Sequence, residues 1–195
     1  GKLCRIANPV DKDWEIAALP AFEQSEIAAD IAAAGIGVIC LPATDLYLMG
    51  RKDAFNVRRG LTPIRRLLAA GVPVALATNN VRNPFTPVGT ADLAHMAFLT
   101  AVAAHMGTPE DMRQLVGAIT TAPARLLRLP DVPATPAELG VGHRADLIVW
   151  DCQELEEIVT RLAPRLLVLK HGRVSVECER SHRERWRDTR DKLSP

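Results

Sequence analysis

Gly71-Val-Pro-Val-Ala-Leu-Ala-Thr-Asn-Asn-Val-Arg-Asn-Pro-Phe-Thr-Pro-Val-Gly89 is the stretch whose reading decides the fold. Its first part, Val72–Ala77, is a short apolar run that stops abruptly at the polar cluster Thr78-Asn79-Asn80. A Pro-rich loop and a helical pattern come next. That order is how a strand buried on both faces delivers side chains to a site at its C-terminal end.

Upstream, the same design recurs. Pro63–Ala70 reads as a helix, with Thr62 as N-cap, Pro63 at the first helical position and Gly71 closing it in a left-handed turn. Thirty-six positions earlier, Gly35 closes an Ala-rich amphipathic helix over Ser25–Ala34, and the apolar strand Ile36–Leu41 comes after it. Helix, glycine and apolar strand repeated at this period mark βα units of a parallel sheet. Leu3–Ala7 is a candidate third strand of the same kind. The order also excludes a dinucleotide-binding turn, because Gly35-Ile-Gly37 precedes its strand instead of following it.

Downstream the pattern changes. Ala91–Met106 reads as a long apolar helix and carries both His95 and His105. Thr108-Pro-Glu-Asp111 caps another helix, and a short third one spans Ala122–Leu127. Thr135-Pro-Ala-Glu138 has the form of a capping box. From Ala145 the period is that of strands: Asp146–Trp150, Leu166–Lys170 and Arg173–Cys178, the last two joined by a His171-Gly172 hairpin turn. The tail Glu179–Lys192 mixes charges of both signs around Trp186 and reads as a solvated helix.

Composition narrows the function classes. Lys and Arg total 24 against 23 Asp and Glu, so charge gives no reason to expect nucleic acid or an acidic partner. No apolar run is long enough to span a bilayer, and Gly1-Lys-Leu-Cys-Arg5 leads into no signal-peptide core, so a cytoplasmic protein without a membrane partner is expected. Cys4, Cys40, Cys152 and Cys178 are widely spaced, as reduced thiols are rather than metal or disulfide pairs.

Four landmarks, in order, resemble the amidohydrolase superfamily and its cytosine-deaminase-like branch. They are Leu41-Pro-Ala-Thr-Asp-Leu-Tyr-Leu-Met-Gly-Arg51 with Arg58-Arg-Gly-Leu-Thr62; the block Ala77–Gly89; Ile119-Thr-Thr-Ala-Pro-Ala-Arg-Leu-Leu127; and Leu139–Val149 with Val168–Val174. The resemblance covers roughly residues 20 to 178, and the Ala77–Gly89 block is its most specific part. It implies an α/β fold: the last strands and helices of a (β/α)8 TIM barrel over 1–130, a small β-sandwich-type appendage over 131–178, and a charged tail over 179–195. Such barrels run to ~250 residues before any appendage, so the chain is expected to be the C-terminal half of an enzyme of this kind.

The resemblance also implies a chemistry. Complete members use Zn or Fe, held by a His-x-His pair, a further His and a strand-8 Asp, to activate water against a C–N bond of a cyclic amide or amidine. In this chain Asn79 stands at the position of that Asp, no His-x-His is present, and the first histidine is His95. A neutral amide is a weak ligand and no base at neutral pH. No metal is therefore expected to be bound by this chain alone, and its isolated turnover is expected to be absent.

The candidate site residues each carry two readings. Asn79 and Asn80 would hydrogen-bond a ring substrate, or only the local backbone as Asx turns. Asn83 and Phe85 would border the pocket, Phe85 by stacking on a planar base or by filling core. Asp45, just past the Ile36–Leu41 strand, lies on the active side of a barrel or caps the adjoining turn. The alternative for the whole chain is a non-catalytic, degenerate homologue. A partial barrel exposes sheet edges, so a homo-oligomer is expected.

Overall fold

Gly35 and Gly71 adopt φ of 64° and 78° and each ends a helix, Gly35 leading directly into a strand and Gly71 into one that begins at Val74. Only a residue without Cβ enters that left-handed corner at no cost. The computed structural model describes residues 2–4, 19–57, 59–84, 86–133 and 140–178, the first three by their backbone. Strand β1 is Lys2–Cys4, helix α1 is Ala21–Ala33 and β2 is Ile36–Cys40. Next come α2 at Pro42–Leu48, α3 at Ile64–Ala69 and β3 at Val74–Leu76. Helices α4, α5 and α6 span Leu93–Ala103, Pro109–Ile119 and Thr121–Leu126. Strand β4 is Leu147–Trp150, α7 is Glu157–Thr160, and β5 and β6 are Arg165–Lys170 and Arg173–Glu177.

The chain divides into two compact units, Gly1–His143 with Cys152–Pro164, and Arg144–Asp151 with Arg165–Pro195. The first holds a three-stranded parallel sheet of order β1–β2–β3. Leu3 lies opposite Gly37, Val38 opposite Val74, and Cys40 opposite Leu76. All of β3 is buried. Helices α5 and α6 pack on that strand, and α1 packs on β2 and α3. Val38, Ala97, Leu115 and Val159, each 0% exposed, form the centre of this core. The architecture is mixed α/β.

The structure corrects three readings of the sequence. Thr62 does not cap α3: the cap position falls on Pro63, and the Thr62 hydroxyl donates to Asp45 Oδ2 at 3.4 Å. A buried carboxylate cannot draw donors from water, so it takes the hydroxyl. The apolar helix over Ala91–Met106 is shorter, beginning after Asp92, whose Oδ1 accepts the Ala94 amide, and ending at Ala103. Its end is set from elsewhere in the chain, where Arg59 donates to the Ala103 carbonyl and Arg65 to that of His105, both at 2.9 Å. His105, at φ 54°, therefore lies beyond the helix that carries His95. Helices α2 and α7 have no counterpart in the sequence reading.

Other elements agree closely with the reading. Thr108 and Asp111 form a reciprocal capping box, each accepting the other's backbone amide. The Thr108 amide is the main reason the Asp111 carboxyl sits below the usual carboxylate range. In the second unit β4, β5 and β6 form a three-stranded antiparallel sheet among the described residues. His171 and Gly172 turn the hairpin at φ 50° and 72°. Asp146 pins that turn by accepting the His171 amide at 2.7 Å and the Lys170 ammonium at 3.0 Å. The Thr135–Glu138 box, the Glu179–Lys192 tail and residues 5–18 lie outside the described residues. No helix among the described residues is long and apolar enough to cross a membrane.

Glu157 supplies a pH test of local structure. Its carboxylate accepts the backbone amides of Glu154 and Gln153 at 3.0 Å and pairs with Arg161. The Glu154 amide foremost, then Arg161, lowers its pKa from 4.5 to about 2. The depressed value means this stabilisation is whole above pH 4.5 and lost as pH falls through about 2. Carboxyl 13C titration of Glu157 should show a midpoint near 2. The variant Glu157→Gln should lose that part of the acid destabilisation.

Candidate functional site

Parallel pairing of β2 with β3 puts both C-terminal ends at one end of the sheet. The Ala77 amide donates to the Cys40 carbonyl at 2.9 Å, carrying the register one step past β3. The segments leaving the two strands therefore meet. After β2 the chain enters α2, whose first helical position is Pro42, and Thr44 and Asp45 fall in its buried first turn. After β3 it enters Thr78-Asn79-Asn80.

Asn79 and Thr44, 35 positions apart, come together there: the Asn79 amide Nδ2 faces Thr44 Oγ1 at 3.4 Å, a long hydrogen bond. Asn79 has φ 54°, a left-handed conformation that asparagine tolerates better than most residues. Asn80 accepts from Asn83 Nδ2 at 2.9 Å, while Asn83 Oδ1 accepts the Thr86 amide at 3.0 Å. The Asn83 amide also donates to the Thr86 carbonyl at 3.0 Å, so Asn83 braces the loop and both ends of its side chain are engaged. Asn79 is exposed and Asn80 half-buried. Phe85 lies outside the described residues.

Asp45 is 3% exposed and sits under this surface rather than on it. The Thr62 hydroxyl also reaches the Cys40 thiol, placing one small donor beside a carboxylate and a sulfur. Burial, opposed by Thr62 and reinforced by the Asp45 charge, pushes the Cys40 thiol up to about 12. A thiol so held offers almost no thiolate at pH 8. Ellman's reagent should label exposed Cys178 in the native protein and reach Cys40 only after unfolding. Prompt native labelling of Cys40 would contradict the packing described.

Thr44 and Thr62 are the site residues that sequence reasoning missed. The available signal for Thr44 was its place beside Asp45 immediately after a strand. For Thr62 the cap reading obscured the other use of its hydroxyl.

The donor set does not fit a metal held by these residues alone. Among the described residues no group of three or more His, Cys, Asp or Glu side chains gathers closely enough to share an ion. His95 Nδ1 lies 3.0 Å from the Thr90 hydroxyl, and His105 contacts Arg59. His171 Nε2 lies 3.0 Å from an Arg144 nitrogen. What the strand ends do present is neutral: amides and a hydroxyl that donate and accept hydrogen bonds without titrating. Such a set can orient the amide edge of a planar ring. It cannot take a proton from water.

A model described as the amidohydrolase family matches residues 11–176. A pterin deaminase of Rhizobium rhizogenes is 34% identical over 145 residues, which cover 74% of this chain and 32% of that protein. An imidazolonepropionase of Anaeromyxobacter dehalogenans is 35% identical over 173 residues, covering 88% of this chain and 34% of the relative. Among solved structures, 5-methylcytosine deaminase from Klebsiella pneumoniae, liganded with 5-fluorocytosine, superposes with a TM-score of 0.76 at 28% identity, covering 86% of this chain and 40% of that one. An atrazine chlorohydrolase from Arthrobacter aurescens, complexed with zinc, gives a TM-score of 0.57 at 26% identity over 83% of this chain and 35% of its own. The chain spans about a third of the length of these curated relatives.

Proposed function

Because the chain belongs to the amidohydrolase family, we propose that its strand-end cluster is the ring-binding edge of a hydrolase acting on a non-peptide C–N bond. The substrate class is a cyclic amide or amidine of the cytosine type. The observation that carries this reading is the meeting of Asn79 with Thr44 at neighbouring C-terminal strand ends of a parallel sheet. That is where open α/β sheets and barrels alike place their ligands. The similarity to a deaminase solved with 5-fluorocytosine supports the choice of substrate class.

In this reading Asn79 and Asn80 hydrogen-bond the ring, and Thr44 orients the Asn79 amide. Asn83 braces the loop, and Asp45 with Thr62 supports the floor. We place 1–130 in the last part of a barrel and the strands of 144–151 with 165–178 in an appended β unit, while 152–164 packs within the first unit; 179–195 is a charged tail. Zn or Fe and the groups that activate water belong to elements outside the described residues, from another segment or a second chain. A homo-oligomer is supported by the outer edge of β1, unpaired among the described residues, and by Phe98 and Val102, 39% and 60% exposed on α4. Cys40 and Cys178, neither of them in a disulfide, suit a reducing, cytoplasmic setting.

Elemental analysis of tag-free protein, paired with ammonia release from cytosine and related aminopyrimidines, tests the assignment. The isolated chain should hold well under one Zn, Fe or Mn per molecule and release no ammonia, while still binding the ring. About one ion per chain with turnover would overturn the placement of the ligands elsewhere. Failure to bind any such ring would favour the degenerate, non-catalytic reading, in which Asn79 marks a lost carboxylate.

A further inference from the structure

We propose that a cationic groove bounded by α1, α3 and the end of α4 binds a phosphate group, either free or carried on a small ester. The groove has a volume of about 860 Å³, and among the described residues its lining contains Arg59, Arg65 and Arg66 but no aspartate or glutamate. Across the whole chain acids and bases nearly balance, at 23 against 24, so this concentration is local and does not follow from composition. The volume is that of a small-molecule site.

The three guanidinium groups are held mostly by neutral acceptors. Arg59 donates to the Ala103 carbonyl at 2.9 Å and contacts His105 Nε2. Arg65 donates to the His105 carbonyl at 2.9 Å. Arg66 bridges to α1, with Nε donating to Gln24 Oε1 at 2.9 Å and Nη1 to Ser25 Oγ at 3.1 Å. Among the described residues one carboxylate pairs with these arginines: Asp111, 3.5 Å from Arg65, which already accepts the amides of Gly107 and Thr108 at 3.0 Å. Among the described residues Arg59 and Arg66 have no carboxylate partner.

Charge and geometry then favour an anion. Against three guanidinium charges stand one shared carboxylate and the negative end of α4, equivalent to roughly half an elementary charge. The balance stays positive. Anchoring by neutral groups fixes the side chains before any ligand arrives, which removes much of the entropy cost of ordering them. Guanidinium forks match phosphate oxygens bidentately, and each keeps N–H donors beyond those its anchors use. The groove shares only Thr62 with the strand-end cluster, so this inference stands apart from the proposed hydrolase reading.

The test is a titration of the full chain with inorganic phosphate, pyrophosphate and AMP, each against sodium chloride at matched ionic strength. It is followed by calorimetry and by the Nε resonances of 15N-labelled arginine. Saturable shifts of the Arg59 and Arg66 resonances are expected, with affinity lowered about tenfold or more in Arg66→Gln. Arg113→Gln, at a surface arginine paired with Glu156, should bind as the parent does. Tighter binding of AMP than of phosphate would identify an ester as the ligand, and the reverse order the free anion. Should Arg66→Gln fold poorly, Arg66→Lys, which keeps the charge but loses the fork, and the resonances of the parent protein decide. Responses no larger than those to chloride, shifts confined to other arginines, or undiminished binding by folded Arg66 variants would each overturn the proposal.

Discussion

Gly60→Ala is expected to lower the free energy of unfolding by about 2–4 kcal/mol, from left-handed strain and steric overlap together. Gly60 has φ 61°, and a Cβ placed there would lie 2.1 Å from Met49 Cβ and 2.2 Å from Met49 Cγ. The Met49 contact is at the root of the side chain, so rotating it away gives little relief and backbone must move. That backbone links Arg59, which holds the end of α4, to Thr62, which reaches down to Asp45. Loss of stability should therefore come with faster amide exchange at Ala104 and Met106, whose bonds close the α4 terminus. Denaturant unfolding of the two proteins side by side measures the effect. A difference under about 0.5 kcal/mol, the range of ordinary surface substitutions, would show that the Met49 contact is not as tight as described.

Leu115→Ala is expected to cost about 2–5 kcal/mol, the span measured for truncating a fully buried leucine. Leu115 is 0% exposed on α5, which packs against β3, α4, α6 and α7. A void at that position removes contacts from several elements at once, and the rigid sheet limits how far they can close over it. At roughly 2–4 °C per kcal/mol for a protein of this size, the melting temperature should fall by roughly 4–20 °C. Leu115→Met, which nearly conserves volume, should cost under about 1.5 kcal/mol. Equal losses in the two variants would contradict the account that the volume removed at Leu115 sets the value.

How much of this could be read in the sequence depends on how local each signal is. The repeat of helix, glycine and apolar strand was legible because Gly35 and Gly71 act within their own turns, and the strands are continuous apolar runs. The Thr108 cap was legible for the same reason, since the Asp111 amide it accepts lies three positions on. Helix α2 was not, because seven residues are too few to show a helical period. The end of α4 was hidden because Ala104-His105-Met106 carries no stop signal; the helix is closed by Arg59 and Arg65, some forty residues earlier. Thr62 illustrates competition between roles. Its position before Pro63 suits a cap, and only the fold reveals a buried carboxylate that takes the hydroxyl instead.

The candidate site divides along the same line. Asn79 and Asn80 stand out by type and by their place at the end of an apolar run. Thr44 becomes a partner of Asn79 only once β2 and β3 pair in parallel, a relation that no window of sequence contains. Asn83 looked like a pocket residue, whereas its amide ties the loop together through Asn80 and Thr86. The buried placement of Asp45 likewise follows from its being in the first turn of α2, not from its distance along the chain.

On the proposed reading, the ends of β2 and β3 bind a ring through neutral amides. That binding is tested most directly by titrating cytosine into 15N-labelled protein while monitoring side-chain amide resonances. Saturable shifts are expected at the Asn79 and Asn80 side chains, absent in Asn79→Ala and unaffected by a metal chelator. Shifts that survive Asn79→Ala, that require added metal, or that fail to reach Asn79 and Asn80 at millimolar cytosine would contradict it.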